Sequence, residues 1–253
     1  MAGAEPLLSI DGAVAAITLR RPRVANRLEL SDLDLLLAQV GEVNANDALR
    51  VLVLRAEGRH FCSGFNVGQV GGAGGAASER FEALATAIEN ARPLTVAALQ
   101  GSAYGGAVDL SIACDFRVAA EGIEMMVPAA KLGLHFYRGG LERLVTRLGL
   151  PGARRVLIAA ERLDTAALRS LGVLDRVVAP QAFAAEVDAF VRQLAALAPL
   201  AVLPMKQHLN AIARGALDVQ ALAADIARSL ASEDLREGSL AWAEKREPVF
   251  KGR

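Results

Sequence analysis

The amino-acid sequence predicts an α/β fold in which a mostly parallel β-sheet comes first in the chain and a layer of helices follows. Three patterns predict it: a hairpin signal near the N-terminus, an alternation of short apolar runs with helical periodicity, and helical periodicity almost throughout from Arg138 onwards. The chain has 253 residues, of which 53% are hydrophobic and 22% charged. This is sufficient for one large domain, alone or with a small helical appendage.

The first elements are predicted from local signals. Residues 7–10 and 14–19 are apolar runs separated by Asp11-Gly12, a dipeptide that favours a tight hairpin turn. Ser31 is expected to be the N-cap of a helix through SDLDLLLAQVGEVN. The apolar run 51–56 predicts a strand that is buried on both faces.

Strand and helix signals then alternate, which predicts stacked βα units. A helix is expected over 78–91 and ends before Pro93, a second buried strand over 95–99, a helix over 106–113 and a strand over 116–119. Beyond Arg138, helices are predicted at 141–148, 152–159, 165–171, 183–197, 200–213, 219–230 and 234–245, with one strand at Val177-Val178. The segment GGAGGA at 71–76 predicts a loop, either a lid or an ordinary surface linker.

Composition narrows the classes of function. Lys plus Arg and Asp plus Glu both number 28, so no overall field favours nucleic acid or an anionic membrane. The first residues lack a basic stretch followed by an apolar one, and a cytoplasmic location is expected. Cys62, Cys114 and the three histidines have no metal-ligand spacing, so neither a metal site nor a disulfide is expected.

Two glycine turns are the basis of a hypothesis about the chemistry of the protein. HFCSGFNV, 60–67, turns through Gly64, and QGSAYGGAVDLSIACD, 100–115, places a glycine pair between a strand and a helix. Amides at a helix start favour an anion. If the amides of Phe65 and Gly106 point into one cavity, they would hydrogen-bond one oxygen from two sides and form an oxyanion hole. The alternative is that each turn is only a tight connection.

At these motifs the sequence resembles the crotonase superfamily, the enoyl-CoA hydratase/isomerase family, along nearly its whole length. The resembling segments are Arg21-Pro22 with Asn26-Arg27-Leu28 (RP…NAL), FCSGFNV (FSAGxDL), GSAYGGAVDLSIACDFRVA (G.a.GGG.eLal.cD.r.A), VPAAKLGL (P-E-x-x-x-G) and SEDLREGSLAWAEKREPVFKGR (S.D..EG..AF.EKR.P.F.G). The resemblance implies a crotonase-like spiral of ββα units with the acyl-CoA site over 1–195. It also implies a C-terminal helical trimerisation region over 196–253.

The resemblance further implies a coenzyme A thioester as substrate, no permanently bound cofactor, and a homotrimer or a hexamer formed as a dimer of trimers. The oxyanion donors would be the amides of Phe65 and Gly106. The candidate coenzyme-binding residues are Arg27, Arg59, Ser63, Phe250 and Lys251, of which the motif match supports Arg27 and Lys251. The alternative for the arginines is that they are only solvated surface residues.

The sequence departs from the hydratase pattern at two positions. Hydratases of the family carry two glutamates, where this chain has Asp109 and Ala129. Alanine cannot transfer a proton, so ordinary hydration is disfavoured and Asp109 is left as the candidate base. Some dienoyl-CoA isomerases of the family have aspartate at this position. The alternative is that Asp109 is a helix-start residue paired with a backbone amide.

The segment LGLHFYRGG, 132–140, replaces a small loop of the family with bulky groups. Tyr137 aligns close to a tyrosine of methylmalonyl-CoA decarboxylases, and Tyr137 and His135 are candidate acid/base groups. The alternative is that this cluster only lines an acyl pocket. Three hypotheses remain: proton-shift isomerase chemistry, which is favoured, a methylmalonyl-CoA-decarboxylase-like lyase, and a catalytically silent acyl-CoA-binding subunit.

Overall fold

A computed structural model describes residues 4–66 and 76–253 of the chain, except for the side chain of residue 76. The N-terminal hairpin forms as predicted: β1 (Ala4–Asp11) pairs antiparallel with β2 (Val14–Arg20), and Asp11 lies opposite Val14. Gly12 in the turn has φ of 54°, a conformation that glycine adopts without a steric penalty.

The remaining strands of the main sheet are parallel, as the alternation of buried strand and helix predicted. They are β3 (Val51–Ala56), β4 (Leu94–Leu99), β6 (Phe116–Ala120) and β9 (Arg176–Val178). The order across the sheet is β1-β2-β3-β4-β6-β9. A second sheet of three short strands, which the sequence patterns missed, consists of β5 (Ala103–Tyr104), β7 (Glu124–Met126) and β8 (Leu163–Asp164). Strands of two or three residues are too short to show an alternation of apolar and polar residues.

Nine α-helices lie within the described residues. They are α1 (Leu30–Ala45), α2 (Ala76–Glu89), α3 (Gly106–Ala113), α4 (Arg138–Leu157), α5 (Thr165–Ser170), α6 (Phe183–Ala195), α7 (Pro199–Ala213), α8 (Val219–Leu230) and α9 (Glu233–Glu244). Two short 3-10 helices cover Pro22–Val24 and Ala129–Leu132. Of the predicted loop 71–76, only residue 76 is described, as the first residue of α2.

The central strands β3 and β4 of the main sheet are buried on both faces, which explains their unbroken apolar sequences. Along β3, Leu52 and Leu54 pack into the core cluster shared with α1, α2 and α3, whereas Val51 and Val53 pack into a second cluster. The second cluster contains four side chains of α6: Val187, Phe190, Val191 and Leu194. The C-terminal ends of β3 and β4 therefore emerge from a rigid, fully covered layer.

The start of α1 and the continuity of α4 differ from the sequence expectation, and several other helices begin or end one or two residues from the predicted bounds. Ser31 is not an N-cap: α1 begins at Leu30, and the Asp32 carboxylate accepts the Glu29 amide at 2.8 Å. The reason is tertiary, because Asp32 is buried against Arg21 at 2.5 Å. The predicted helices 141–148 and 152–159 are joined as α4 through a kink at Gly149.

No single described helix has the length and apolar content needed to cross a membrane. The consecutive helices α6 and α7 meet that length and composition only as a pair, and they are bent by 103° relative to each other.

Candidate active site

The two glycine turns meet at the carboxyl ends of β3 and β4. The Leu28 amide donates to the Gly64 carbonyl at 2.9 Å, and the Asn66 amide donates to the Leu28 carbonyl at 3.0 Å. These two bonds form a parallel bridge between Leu28 and Phe65. Because the bridge uses the groups on either side of Phe65, the amide of Phe65 itself faces away from Leu28.

Each turn requires glycine for a physical reason that the sequence alone does not give. Gly64 has φ of 89°, and a Cβ there would lie 2.6 Å from the Tyr104 carbonyl oxygen and 3.3 Å from the Gly106 amide nitrogen. Gly105 has φ of 57°, and a Cβ on Gly106 would lie 2.4 Å from Cζ of Phe81. The two turns are therefore in contact, and side chains there would separate them.

The amides of Phe65 and Gly106 have no hydrogen-bond acceptor within residues 4–66 and 76–253. For Gly106 this follows from its place at the first position of α3, where an amide has no partner inside the helix. Both residues line one cavity of about 90 Å³. The other described residues that line it are Ala77, Ser78, Phe81, Leu134, His135, Phe136 and Tyr137.

Aromatic rings form most of the cavity wall. The rings of Phe136 and Tyr137 stack with centroids 4.6 Å apart, and Phe81 lies 6.2 Å from Tyr137 and 6.4 Å from Phe65. Such pairs fix the orientation of each ring. The bulky segment 135–137 thus lines the cavity as one of the two sequence interpretations expected, and it places the Tyr137 hydroxyl group at a fixed point.

Asp109 lies behind this wall and is completely buried. The Tyr137 hydroxyl donates to Oδ2 of Asp109 at 2.6 Å. Arg143 donates from Nε to Oδ1 at 2.9 Å and from Nη2 to Oδ2 at 3.1 Å. Asp109 is therefore paired with side chains. The alternative expected from the sequence, pairing with a backbone amide, is not observed.

Arg143 is the residue of this site that sequence reasoning missed. It is among the largest side chains in the described residues that are fully buried, and Nη1 lies 2.5 Å from Oε2 of Glu89. Glu89 also forms ion pairs with Arg214 and with Arg147, whose Nη2 lies 3.6 Å from Oε1 of Glu89. In the sequence Arg143 looks like any arginine on a helix, which is normally solvated. Its burial depends on contacts among α2, α3 and α4.

The charge arrangement affects two pKa values. Burial, together with the charge and hydrogen bond of Asp109, raises the pKa of Tyr137 well above its ordinary value of 10.0, so the phenol is neutral. Burial opposes the charge on Arg143, but the hydrogen bonds and charges of Asp109 and Glu89 outweigh it and raise the pKa of Arg143. Arg143 therefore stays cationic beside the Asp109 carboxylate.

Three other positions considered for the chemistry are His135, Ala129 and Cys62. His135 is exposed, and its Nδ1 lies 2.7 Å from the Phe136 carbonyl oxygen. Ala129 is buried in the main core cluster, and the described residues that line the cavity do not include it. Cys62 packs in the core as expected, and burial raises the pKa of its thiol to about 12.

The candidate coenzyme-binding residues fall into two groups. Arg27, Arg59 and Ser63 lie on or beside the first glycine turn, where Arg27 is 3.1 Å from Glu29 and the Ser63 amide donates to the Ala25 carbonyl. Arg27 and Arg59 are exposed and Ser63 is half-buried.

Phe250 and Lys251 form the second group, at the opposite end of the sheet. The Phe250 carbonyl accepts Arg50 at 2.7 Å, and Arg50 immediately precedes β3. A strand of six residues spans about 20 Å. Within one chain, the structure does not bring Phe250 and Lys251 to the glycine turns, which follow the other end of β3.

Known proteins resemble this chain along nearly its whole length. The model of the enoyl-CoA hydratase/isomerase family matches residues 9–253. Carnitinyl-CoA dehydratase of Citrobacter koseri is 32% identical over 262 residues, covering 96% of both chains. Enoyl-CoA isomerase/hydratase of Mycosarcoma maydis is 30% identical over 255 residues, covering 94% of this chain and 92% of that protein. The crystal structure of an enoyl-CoA hydratase from Bacillus anthracis superposes with a TM-score of 0.91 at 25% identity, covering 99% of this chain and all of that one.

Proposed function

Because the chain belongs to the enoyl-CoA hydratase/isomerase family, we propose that it binds an acyl-CoA thioester and stabilises the thioester enolate in an oxyanion hole formed by the amides of Phe65 and Gly106. One observation carries the proposal. Both residues line a single cavity, and neither amide has an acceptor within the described residues. Two unpaired donors beside an apolar cavity are suited to an oxygen that gains negative charge during the reaction.

The oxyanion hole acts on the carbon next to the carbonyl. When a proton leaves that carbon, the charge of the enolate develops on the thioester oxygen, so the two amides bind the transition state more strongly than the substrate. Loss of one such donor typically costs about 3 to 4 kcal/mol. The same hole serves any reaction of the family that passes through an enolate.

We favour a proton shift over hydration. The names of the relatives cover isomerase, hydratase and dehydratase, so the reaction has to be chosen from the site itself. Hydration in the family uses two glutamates, and Ala129 replaces the second. In a proton shift one base removes a proton from the enoyl chain and returns it to another carbon, without added water. Asp109 is the proposed base.

Decarboxylation of a malonyl-type thioester is the second candidate, and a specific observation favours it. The described residues that line the cavity include no carboxylate, and Tyr137 and His135 are its titratable groups. Loss of carbon dioxide breaks the bond to the carboxylate carbon and leaves the electron pair in the enolate, so no base is needed. Tyr137 or His135 would then supply the proton.

The coenzyme is proposed to lie along the first glycine turn, near Arg27, Arg59 and Ser63. Phe250 and Lys251 would reach it from a neighbouring copy, since their own chain holds them at the other end of β3. This arrangement needs an assembly, and a homotrimer or a dimer of trimers is proposed.

A panel of enoyl-CoA esters in deuterium oxide tests the proposal. Deuterium incorporation next to the carbonyl, with double-bond migration and no hydration, is the expected result. Release of carbon dioxide from methylmalonyl-CoA would favour the second candidate. Tight acyl-CoA binding without turnover, unaffected by Asp109→Asn, would contradict both and identify a silent acyl-CoA-binding subunit.

A further inference from the structure

The Tyr137 side chain links the cavity to the Asp109 carboxylate. Asp109 is 0% exposed, and the described residues that line the cavity do not include it. Tyr137 does line the cavity, and its hydroxyl oxygen lies 2.6 Å from Asp109. A general base must come within hydrogen-bond reach of the proton that it removes. Asp109 is enclosed too completely to do so directly.

We infer that Tyr137 contacts the reacting carbon and relays the proton between the substrate and Asp109, with Arg143 as a positioning residue. The inference rests on the proposed function. In the first step the substrate C–H bond breaks, its proton bonds to the Tyr137 oxygen, and the original hydroxyl proton passes to Oδ2 of Asp109. The electron pair moves to the thioester oxygen as the enolate. The return step reverses these transfers at another carbon and restores both residues.

The direction of the hydrogen bond supports this path. Because the Tyr137 hydroxyl donates to Asp109, the lone pairs of its oxygen remain available to accept a proton from the cavity. Burial and Asp109 raise the pKa of Tyr137 well above 10.0, which disfavours a free phenolate. In a relay the oxygen gains one proton as it loses another, so no phenolate forms. Three charged groups face the phenol: Asp109, Arg143 and Glu82.

Arg143 holds the acceptor in place. Its two parallel bonds fix both oxygens of Asp109, and Glu89 binds the remaining nitrogen. Tyr137 is the residue immediately before α4, and Arg143 lies six residues later in the same helix. One helix therefore positions both donors to Asp109. A guanidinium gives this paired geometry, whereas a lysine ammonium does not.

The relay is tested with Tyr137→Phe, Asp109→Asn and the double variant, assayed for deuterium exchange and double-bond migration. Each single variant should lower kcat by about 10²- to 10⁴-fold with KM little changed, because it removes one half of a proton-transfer path. The double variant should be no slower than the slower single variant, since the two groups act as a unit. Tyr104→Phe is the matched control, because Tyr104 is the only other tyrosine and also donates to a carboxylate, Glu124.

Three results would overturn the relay. If Tyr137→Phe kept the wild-type kcat while Asp109→Asn had a lowered kcat, Asp109 would act without Tyr137. If the fold-loss of kcat in the double variant equalled the product of the two single losses, the two residues would act separately. If the wild-type protein catalysed no deuterium exchange with any enoyl-CoA ester, both the proposed function and the relay would be overturned. The first two results would overturn the relay alone and leave the proposed function intact.

The role of Arg143 is tested by Arg143→Lys and Arg143→Met. Both should lower kcat rather than raise KM, and lysine should restore part of the loss because it keeps the charge. Arg143→Met leaves a carboxylate buried without its cation, which can prevent folding. In that case Arg143→Lys alone tests the positioning role. Equal kcat in Arg143→Lys and the wild type would overturn the positioning role.

A titration tests the contact between Tyr137 and Asp109 independently of activity. In the Tyr104→Phe background, phenolate absorbance reports Tyr137 alone. Asp109→Asn should shift its ionisation to lower pH, because the negative charge that raises its pKa is removed. An unchanged titration would mean that Asp109 does not hold the phenol, which overturns the relay.

Discussion

Gly106 determines how much space remains beside the proposed oxyanion hole. Its helix position alone would tolerate alanine, which is a better helix former than glycine. The constraint comes from Phe81 of α2, whose ring occupies the space where a Cβ would lie. The residue type is thus set by a neighbour 25 positions earlier in the sequence, and not by the local backbone.

Gly106→Ala should lower kcat/KM by about tenfold or more, because a Cβ 2.4 Å from Cζ of Phe81 forces the ring into the cavity or shifts the amide. Adding Phe81→Leu should restore most of the loss, since the shorter side chain vacates the space. Steady-state kinetics of the two single variants and the double variant check this. Additive losses would show that the ring and the methyl group do not compete for the same space.

Cys62 and Cys114 should be unreactive in the folded protein. Both thiols are completely buried, and burial raises the pKa of each to about 12, so the nucleophilic thiolate is almost absent at neutral pH. A chromogenic disulfide reagent should detect no thiol in the native protein and two after unfolding, since the chain has two cysteines. Rapid labelling of either thiol in the native protein would contradict the packing described for them.

At the scale of elements, α4 is the most constrained helix of the site. It carries Tyr137 at its N-cap and Arg143 within its first turns, and it is interrupted at Gly149, with φ of 66° and ψ of 167°. This backbone region is essentially restricted to glycine. The kink sets the direction of the second half of α4, which the helical periodicity of the sequence indicated only as a break between two helices.

Gly149→Ala should therefore lower the free energy of unfolding by roughly 1 to 3 kcal/mol, because alanine is strained at this φ and ψ. Gly41→Ala is the matched control. Gly41 lies within α1, is exposed, and has open space around its Cβ position, so alanine should raise stability by about 0.5 to 1 kcal/mol. Urea unfolding of both variants measures the two shifts, and shifts of the same sign would contradict the assignment of strain to Gly149.

At the scale of the whole molecule, the C-terminal helices expose a large apolar surface. Its members are Met205, Leu209 and Ile212 of α7, Ile226 and Leu230 of α8, and Trp242 of α9, which is 87% exposed. Exposed apolar groups on neighbouring helices indicate an interaction surface. The proposed trimer would cover this surface and bring Phe250 and Lys251 of one copy towards the glycine turns of another.

Leu209→Lys with Ile226→Lys should dissociate the proposed trimer, because two charges would be buried at its interface. Light scattering should report a smaller mass, and KM for the thioester should rise as Phe250 and Lys251 are withdrawn. Ile10→Lys on β1 is the control, since Ile10 is also exposed but lies at the edge of the main sheet. An unchanged mass in the Leu209→Lys, Ile226→Lys variant would mean that these helices do not form the interface.

The order of the helices and of the main-sheet strands, the parallel sheet and the family could all be predicted from the sequence, whereas the short strands of the second sheet could not. Periodicity and glycine placement are local properties, so they are readable without coordinates. This is why 106–113 and 219–230 were predicted with the bounds that the structure has. Glycine placement named Phe65 and Gly106 as candidates, and the family resemblance named Asp109 and Tyr137.

Which of these groups face the cavity, and which partners they have, could be seen only in the folded molecule. Asp109 is enclosed, Tyr137 stands between it and the cavity, and Arg143 is buried among carboxylates. Glu89, Asp109 and Arg143 are far apart in the chain and belong to three different helices, and Arg214 directly follows a fourth, α7. Burial and pairing of charges depend on how those helices pack, and no local pattern in the sequence records that packing.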